Sequence, residues 1–464
     1  MGESILQVAL VGGHPTTIPI GATRTVRLRL LPSGSQERKL RKIARLFAKC
    51  WNEITYERRR LFFSRQGIDF KGTYRKYYEE YKQVLGSANV QQLLNMSDEA
   101  WKSFFELLRL KKNGKLPPYI EPRPPGYWKD RLLGVRRLII VRSDRYYIEP
   151  VSGGEGYIVL KDFKLRIKFA GKIKWEGKQG RLIIKREYDR WFAYVPIEVG
   201  KPAPKSNKRG YVKHNHKDKR IVNPALIRQR EPIGHEKAFI DIGLNNLFAV
   251  TTTNGYAILV KGGSIKSEYY WWKREVATWQ SIRDLLRNWG LPNWHYYHRL
   301  YLKAVFKRNE RLRHLYRTAI RFTADELWQL GVDEVFIGYP YNVSHINGNE
   351  YNTNIWWYNK IIRWLINVLE EYGIKANIAD ESYTSKTCSI CGGIHENGRV
   401  YRGLYICRKT GMAINADINA SMNIARKNGY NIAIRGKILS LHITTNGILN
   451  PSPKGQHPRP QHTL

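Results

Sequence analysis

Two aspartates far apart in the chain have surroundings suited to hydrolytic chemistry. Asp241 closes an apolar run in F-I-D-I-G-L-N-N (239–246), where Gly243 lets the backbone turn close beside it. Asp417 stands one turn into N-A-D-I-N-A-S-M-N-I-A-R, a helical stretch with Ile418, Met422 and Ile424 on its apolar side. A carboxylate facing into a strand–helix sandwich is costly unless it is paired, protonated or bound to a cation. Two or three such groups converging across a sheet make a hard-oxygen site for Mg²⁺ or Mn²⁺ that also takes a substrate phosphate. Two ions about 3.5–4 Å apart would stabilise both the attacking and the leaving oxygen of a phosphodiester. Taken singly, each Asp reads as a cap or turn residue, so the pair gains meaning only from the elements around it.

A second cluster is made of sulfur. Cys388-Ser-Ile-Cys391-Gly-Gly has the knuckle spacing of a zinc ribbon, and Cys407 follows in Y-I-C-R-K-T-G. A full ribbon would carry a fourth Cys at 410, where this chain has Thr410, a poor ligand for tetrahedral Zn²⁺. His395, a water, or no ligand at all are the ways to complete three thiolates.

The elements that must position these groups fall into three stretches. Residues 23–31 (TRTVRLRLL) alternate basic and apolar, as a half-buried strand does. A helix follows with Leu40, Ile43, Phe47, Trp51 and Ile54 on one face and Arg38, Lys39, Arg41, Lys42, Arg45 and Lys49 on the other. No acid interrupts those six cations before Glu53, so the face suits phosphate, and Arg38, Lys42, Arg45 and Lys49 are its candidate nucleic-acid contacts. A second helical stretch spans about 89–112, and the Pro-rich 117–128 ends it. From 131 to 199 the period becomes two, and the first strand is expected to join that sheet with the helices inserted between. Residues 201–235 read as a basic linker, with Lys205, Lys208 and Arg209 as further candidate contacts. Beyond it, strands at 239–252, a helical 264–330, a strand at 332–340, a helix at 354–372, a strand at 374–380 and a helix at 415–427 fit an RNase H-like layer. Residues 431–464 read as a disordered tail rich in Pro and His.

Composition narrows the partners. Lys and Arg number 79 against 39 Asp and Glu, a formal charge of +40 over 464 residues, which attracts polyanions and above all nucleic acid. No run reaches the ~18 apolar residues of a spanning helix. Glu3 stands where a signal peptide would have Lys or Arg, so a cytoplasmic, nucleoid-associated prokaryotic protein without membrane contact is expected. With only four Cys, a disulfide scaffold is excluded.

The strings F-I-D-I-G-L-N-N, E-S-Y-T-S-K-T-C-S-I-C-G (381–392) and Y-I-C-R-K-T-G-M-A-I-N-A-D-I-N-A-S-M-N-I-A-R together resemble the RuvC nuclease of TnpB. TnpB is the transposon-encoded RNA-guided endonuclease family related to type V CRISPR effectors. The resemblance covers roughly 236–427, and the N-terminal part fits the same family more loosely. It implies a multidomain α+β chain. An N-terminal β-barrel-like wedge domain (1–35 and 131–200) would carry a helical recognition insertion (36–130). A C-terminal RNase H-like (RuvC) α/β domain (236–380 and 413–430) would carry a zinc-ribbon-like module (381–412). The implied activity is cutting of double-stranded target DNA beside a short flanking motif, directed by a guide RNA from the transposon end. Asp241 and Asp417 become the first and last catalytic carboxylates on Mg²⁺ or Mn²⁺, and Cys388, Cys391 and Cys407 become Zn²⁺ ligands.

The family's middle carboxylate, a Glu after a strand, is missing from its usual place. The strand here reads V-F-I-G-Y-P, with Gly338 at the expected Glu. Three readings follow. Glu350, in the loop H-I-N-G-N-E after that strand, completes Asp241 and Asp417, and this is the reading adopted for the site. Glu381, at the end of the next strand, is the weaker candidate. In the third, the site has no middle ligand and the protein is an RNA-guided DNA-binding, repressor-like relative without nuclease activity.

Overall fold

The computed structural model describes residues 23–116, 120–130, 134–135, 138–151, 154–199, 211–212, 231–339, 350 and 354–449, less positions 174, 176, 244, 402 and 437, together with Thr16–Thr17. Among these residues no helix is long and apolar enough to cross a membrane. The chain divides into two compact units, one built on Gly21–Ile227 and one on Arg228–Leu464 together with Thr16–Thr17, which pair antiparallel with Ile378 and Asn377.

In the first unit, β1 (Thr23–Leu31) leads into α1 (Gly34–Phe63). A reciprocal capping box starts the helix: the Ser33 side chain accepts from the Gln36 amide, and Gln36 Oε1 accepts from the Ser33 amide at 3.0 Å. The helices α2 (Phe70–Leu85) and α3 (Ser87–Lys112) follow. The sheet is then built from β2 (Leu138–Val141), β3 (Tyr146–Val151), β4 (Glu155–Leu160), β5 (Leu165–Ala170), β6 (Gly177–Gln179), β7 (Leu182–Glu187) and β8 (Arg190–Val199). The strand β1 lies between β8 and β5, antiparallel to both, so the helices are an insertion between strands of one sheet. Leu28, Leu30, Phe47, Trp51, Ile167 and Val195 share its core. The helix α2, for which no element was expected from the sequence, is held by Tyr77 and Tyr81, whose hydroxyls donate to Glu57 and Glu53 of α1.

The second unit centres on a mixed sheet. Its strands are β9 (Glu236–Asp241), β10 (Asn246–Thr252), β11 (Ala257–Lys261), β12 (Val332–Tyr339) and β13 (Lys375–Asp380). The spatial order β13-β12-β9-β10-β11 puts β9 in the middle, parallel to β12 and antiparallel to β10. All seven residues of β10 are buried, as expected of a central strand covered on both faces. The helices α4 (Gly263–Asn288) and α5 (Trp294–Gln329) form a hairpin between β11 and β12, and α6 (Tyr358–Glu371) connects β12 to β13. A small three-stranded sheet, β14 (Arg399–Tyr401), β15 (Leu404–Ile406) and β16 (Ala413–Asn415), leads into α7 (Ala416–Lys427). The segment from 431, expected as a tail, instead supplies β17 (Leu439–Thr444) and β18 (Gly447–Leu449), and β17 pairs in parallel with β11. Its Leu441 and Ile443 alternate into the core, a period-two signal only two residues deep. Residues 450–464 lie outside the described residues.

Candidate active site and cysteine cluster

The helix α7 crosses the middle of the sheet and brings the last aspartate to the first. Ser421 Oγ donates to the Phe239 carbonyl at 2.7 Å, and Ile424 packs on Phe239 and Phe336. Asn415 caps the helix by accepting from the Asp417 and Ile418 amides at 3.0 and 3.2 Å. Asp417 therefore sits in the first turn with its carboxylate against β9. The Oδ2 atoms of Asp241 and Asp417 both lie 3.9 Å from the point where a Cβ on Gly243 would stand, so both face one small space over that glycine.

The two carboxyls are treated differently. Asp417 is 93% buried yet well satisfied: Asn246 Nδ2 donates to Oδ2 at 2.6 Å, and Arg399 Nη2 donates to Oδ1 at 3.1 Å. Asp241 is pushed up to about 7, by burial first and by the Asp417 charge second, with Arg399 pulling the other way. Glu381, one residue beyond β13, is pushed up to about 8 by burial and then by the charges of Asp241 and Asp380. Tyr358, at the start of α6, has its phenol raised by burial and by Glu381 and Asp241, so it borders the same space.

The structure does not bring Glu350 to this place. Its carboxylate accepts from Tyr269 Oη at 3.0 Å and pairs with Lys273 Nζ at 2.7 Å, both on α4. Those two donors hold it below the usual carboxylate range. The sequence placed Glu350 near the aspartates through loop length alone; a Lys and a Tyr one turn apart on α4 claim it instead. The acid that feels the charge of Asp241 is Glu381.

The donor set suits a hard divalent cation. Carboxylate oxygens converge, one of them poised to stay protonated until positive charge arrives, with amide and guanidinium groups fixing the remaining lone pairs.

The cysteine cluster is assembled by the same helix. Cys388, Cys391, His395 and Cys407 present ligand atoms that all lie within 4.8 Å of one another. His395 Nε2 is 3.1 Å from Cys391 Sγ and 3.7 Å from Cys407 Sγ, so of the three ways to complete the thiolates the histidine is the one in position. Thr410, standing where a fourth cysteine would be, hydrogen-bonds Cys407 and is the main cause that lowers its thiol to about 5, with His395 assisting. Three thiolates and an imidazole fit tetrahedral Zn²⁺.

The asparagines of the N-A-D-I-N-A-S-M-N motif, to which the sequence assigned no task, now have one. Asn419 accepts from the Ser389 amide and donates to the Thr387 carbonyl, both at 2.8 Å. Asn423 donates to the Thr384 and Thr387 carbonyls, and Arg426 to those of Cys388 and Ser389. Positions 419, 423 and 426 share one helix face, so one α-helix carries Asp417 to the acids and grips the knuckle with its flank. Asn246 and Arg399 were missed because no short motif assigns either of them a role. Arg399 gives no local signal at all, since it lies on a hairpin whose fold depends on the cysteine cluster.

Arg38, Lys42, Arg45 and Lys49, the candidate nucleic-acid contacts, are exposed on α1, and Lys49 pairs with Glu53 at 3.7 Å. Arg41 is engaged by Glu37. Lys205, Lys208 and Arg209 lie outside the described residues.

Comparison with known proteins places this architecture. Residues 195–344 match the family model described as a probable transposase, OrfB_IS605, and residues 358–424 match the Cas12f1-like TNB domain. The TnpB-like protein ORF457 of Acidianus two-tailed virus is 40% identical over 413 residues, covering 87% of this chain and 86% of its own. The chain belongs to the TnpB-like family. The CRISPR-associated endodeoxyribonuclease Cas12f1 of Sulfoacidibacillus thermotolerans is 41% identical over 73 residues, 16% of this chain and 17% of its own. In fold, the chain resembles Cas12f1 as seen in a Cas12f1–sgRNA–target DNA complex, with a TM-score of 0.50, 15% identity, and coverage of 84% of this chain and 81% of that one.

Proposed function

We propose that the chain is an RNA-guided DNA endonuclease of transposon origin, with an RNase H-like (RuvC) catalytic layer in its second unit. The observation that carries this reading is the shared space over Gly243 into which Asp241 and Asp417 both point. Buried like charges are expensive, and beyond the Arg399 guanidinium on Asp417 Oδ1 a divalent cation would relieve the repulsion that raises Asp241. Divalent ions bound there would supply an activated water and charge neutralisation for phosphodiester hydrolysis. Asn246 orients Asp417, and Arg399 keeps a cation at the rim, where a nucleic-acid phosphate would approach. The names of the relatives support guide RNA and target DNA as partners. The +40 charge and the exposed face of Arg38, Lys42, Arg45 and Lys49 support backbone contact. Zn²⁺ at Cys388, Cys391, His395 and Cys407 would hold the module that carries Arg399.

The test is cleavage of a target plasmid by protein purified with its co-expressed RNA, in Mg²⁺. Cutting that Asp241→Asn abolishes supports the reading. A parent protein that binds its target and never cuts would support the repressor-like alternative, which Gly338 at the usual Glu position favours.

A further inference from the structure

We propose that Glu381 is the third carboxylate of the Asp241–Asp417 site, and that Gly338 is the opening through which it reaches. The inference rests on the metal-dependent reading of that aspartate pair and names a further ligand residue for it.

The sheet order makes the problem plain. Asp241 ends β9, β12 lies next to it, and β13 lies beyond β12. Strands stand about 4.8 Å apart, so an acid at the end of β13 must cross one whole strand to meet Asp241. The residue in its path is Gly338, paired with Ala379 on β13 and following Ile337, which is paired with Ile240 on β9. A Cβ at 338 would stand 2.9 Å from Glu381 Oε2, 2.7 Å from Ile424 Cδ1 and 3.3 Å from the Ile240 carbonyl. The carboxylate of Glu381 thus lies against the α-carbon of the intervening strand. It occupies the space that any side chain on Gly338 would take.

One oxygen of that carboxylate has arrived there without a hydrogen-bond partner among the described residues. Glu381 Oε2 is buried and makes no hydrogen bond among the described residues. Its neighbour Asp380 is fully engaged by contrast, bonded to Ser382 and to Lys427 at 2.8 Å. The two adjacent acids have opposite fates: Asp380 is salt-bridged at the surface, and Glu381 is sent inward toward Asp241 with its Oε2 unsatisfied. Such an oxygen costs free energy unless a ligand completes it. A glycine inside a strand commonly marks close approach by another group, and here that group is the Glu381 carboxylate. The acidic function absent from β12 is supplied from β13, and Gly338 is what permits it.

The experiment titrates Mn²⁺ alone into the EDTA-treated full-length protein, followed by calorimetry and by the Mn²⁺ EPR signal. The wild type should take up Mn²⁺ in a step that Asp241→Asn removes. Glu381→Gln, which keeps the shape of the side chain, should weaken that step by at least about tenfold. Gly338→Ala should weaken it too. The double variant Gly338→Ala/Glu381→Gln should be no worse than Glu381→Gln alone, because the alanine acts by displacing Glu381. Thermal unfolding of each variant separates loss of the site from loss of the fold. Wild-type Mn²⁺ affinity in Glu381→Gln overturns the proposal, as does a wild type with no uptake step sensitive to Asp241→Asn. Additive losses in the double variant would overturn the role of Gly338. The nuclease reading fails separately: a wild type that binds Mn²⁺ through Glu381 but never cuts DNA refutes that reading and leaves this one standing.

Discussion

The acidic cluster and the cysteine cluster are gathered by one helix, yet they prepare their ligands in opposite ways. In the sulfur cluster Thr410 and His395 stabilise the Cys407 thiolate, so that ligand is already in its metal-binding form at neutral pH, although buried Cys388 is raised. In the acidic cluster burial and mutual repulsion raise Asp241 to about 7 and Glu381 to about 8, so those ligands resist ionisation until positive charge arrives. The first arrangement favours a resident ion that belongs to the fold. The second favours ions that come with the substrate and act on it.

The sharpest break of this comparison is loss of function without loss of fold. Asp417→Asn should lower DNA cleavage by roughly 10³-fold while leaving zinc content and thermal stability near those of the parent, measured on the same preparation. If that variant loses its zinc, the two clusters are one structural unit and the contrast drawn here is wrong. Cys407→Ser should do the reverse: zinc content, melting temperature and cleavage should fall together, because the hairpin carrying Arg399 is no longer held. His395→Ala is the milder form of the same test. Metal analysis should show one zinc per chain in the parent, bound at least about tenfold more weakly in this variant.

The acids should also leave a mark on stability. In the metal-free protein Asp241 and Glu381 bind protons more tightly when folded than their ordinary values of 3.8 and 4.5. Their contribution is therefore fully present below about pH 4. It is lost as the pH rises through 7 to 8, where the folded state must hold the charges or take up protons the unfolded chain has released. The melting temperature in EDTA should decline over that window. Asp241→Asn should flatten the decline, and Mn²⁺ should restore stability most at the alkaline end. A metal-free protein equally stable at pH 5 and pH 8 would remove the repulsion on which the acidic half of the comparison depends.

What the sequence disclosed follows the same division. Short-range patterns were readable: the apolar run ending in Asp241, the knuckle Cys388–Cys391, the capped helix bearing Asp417, and the alternation of β1. Their local form is readable because each is fixed by neighbours within a few residues. Glu381 over Glu350 was not readable, because the choice depends on strand order. Parallel strands β9, β12 and β13 are joined by long crossovers, and no spacing tells which acid lands beside Asp241. The one local clue was Gly338 inside the β-branched and aromatic run V-F-I-G-Y that ends the strand. Read as an absent acid it suggests loss, but read as an absent side chain it suggests passage. The strands β17 and β18 were missed for a related reason: their few apolar residues gain a partner only once β11 is exposed as a sheet edge.

The smallest expected effect is the most pointed. Glu350 ties α4 through Lys273, 47% exposed, and through Tyr269. An ion pair so open to solvent is worth at most about 1 kcal/mol. Glu350→Gln can still accept from Tyr269 and loses only the charge, so its melting temperature should stay close to the parent's, with cleavage and Mn²⁺ uptake unchanged. If Glu350→Gln instead abolished cleavage while Glu381→Gln cut normally, Glu350 would have to be brought to the aspartates when nucleic acid binds. The acid would then leave Lys273 for a stronger cation. The proposed grouping of Glu381 with Asp241 and Asp417 would then fall, and the contrast between a built sulfur site and a waiting acidic one would become a contrast between a built site and one assembled by its substrate.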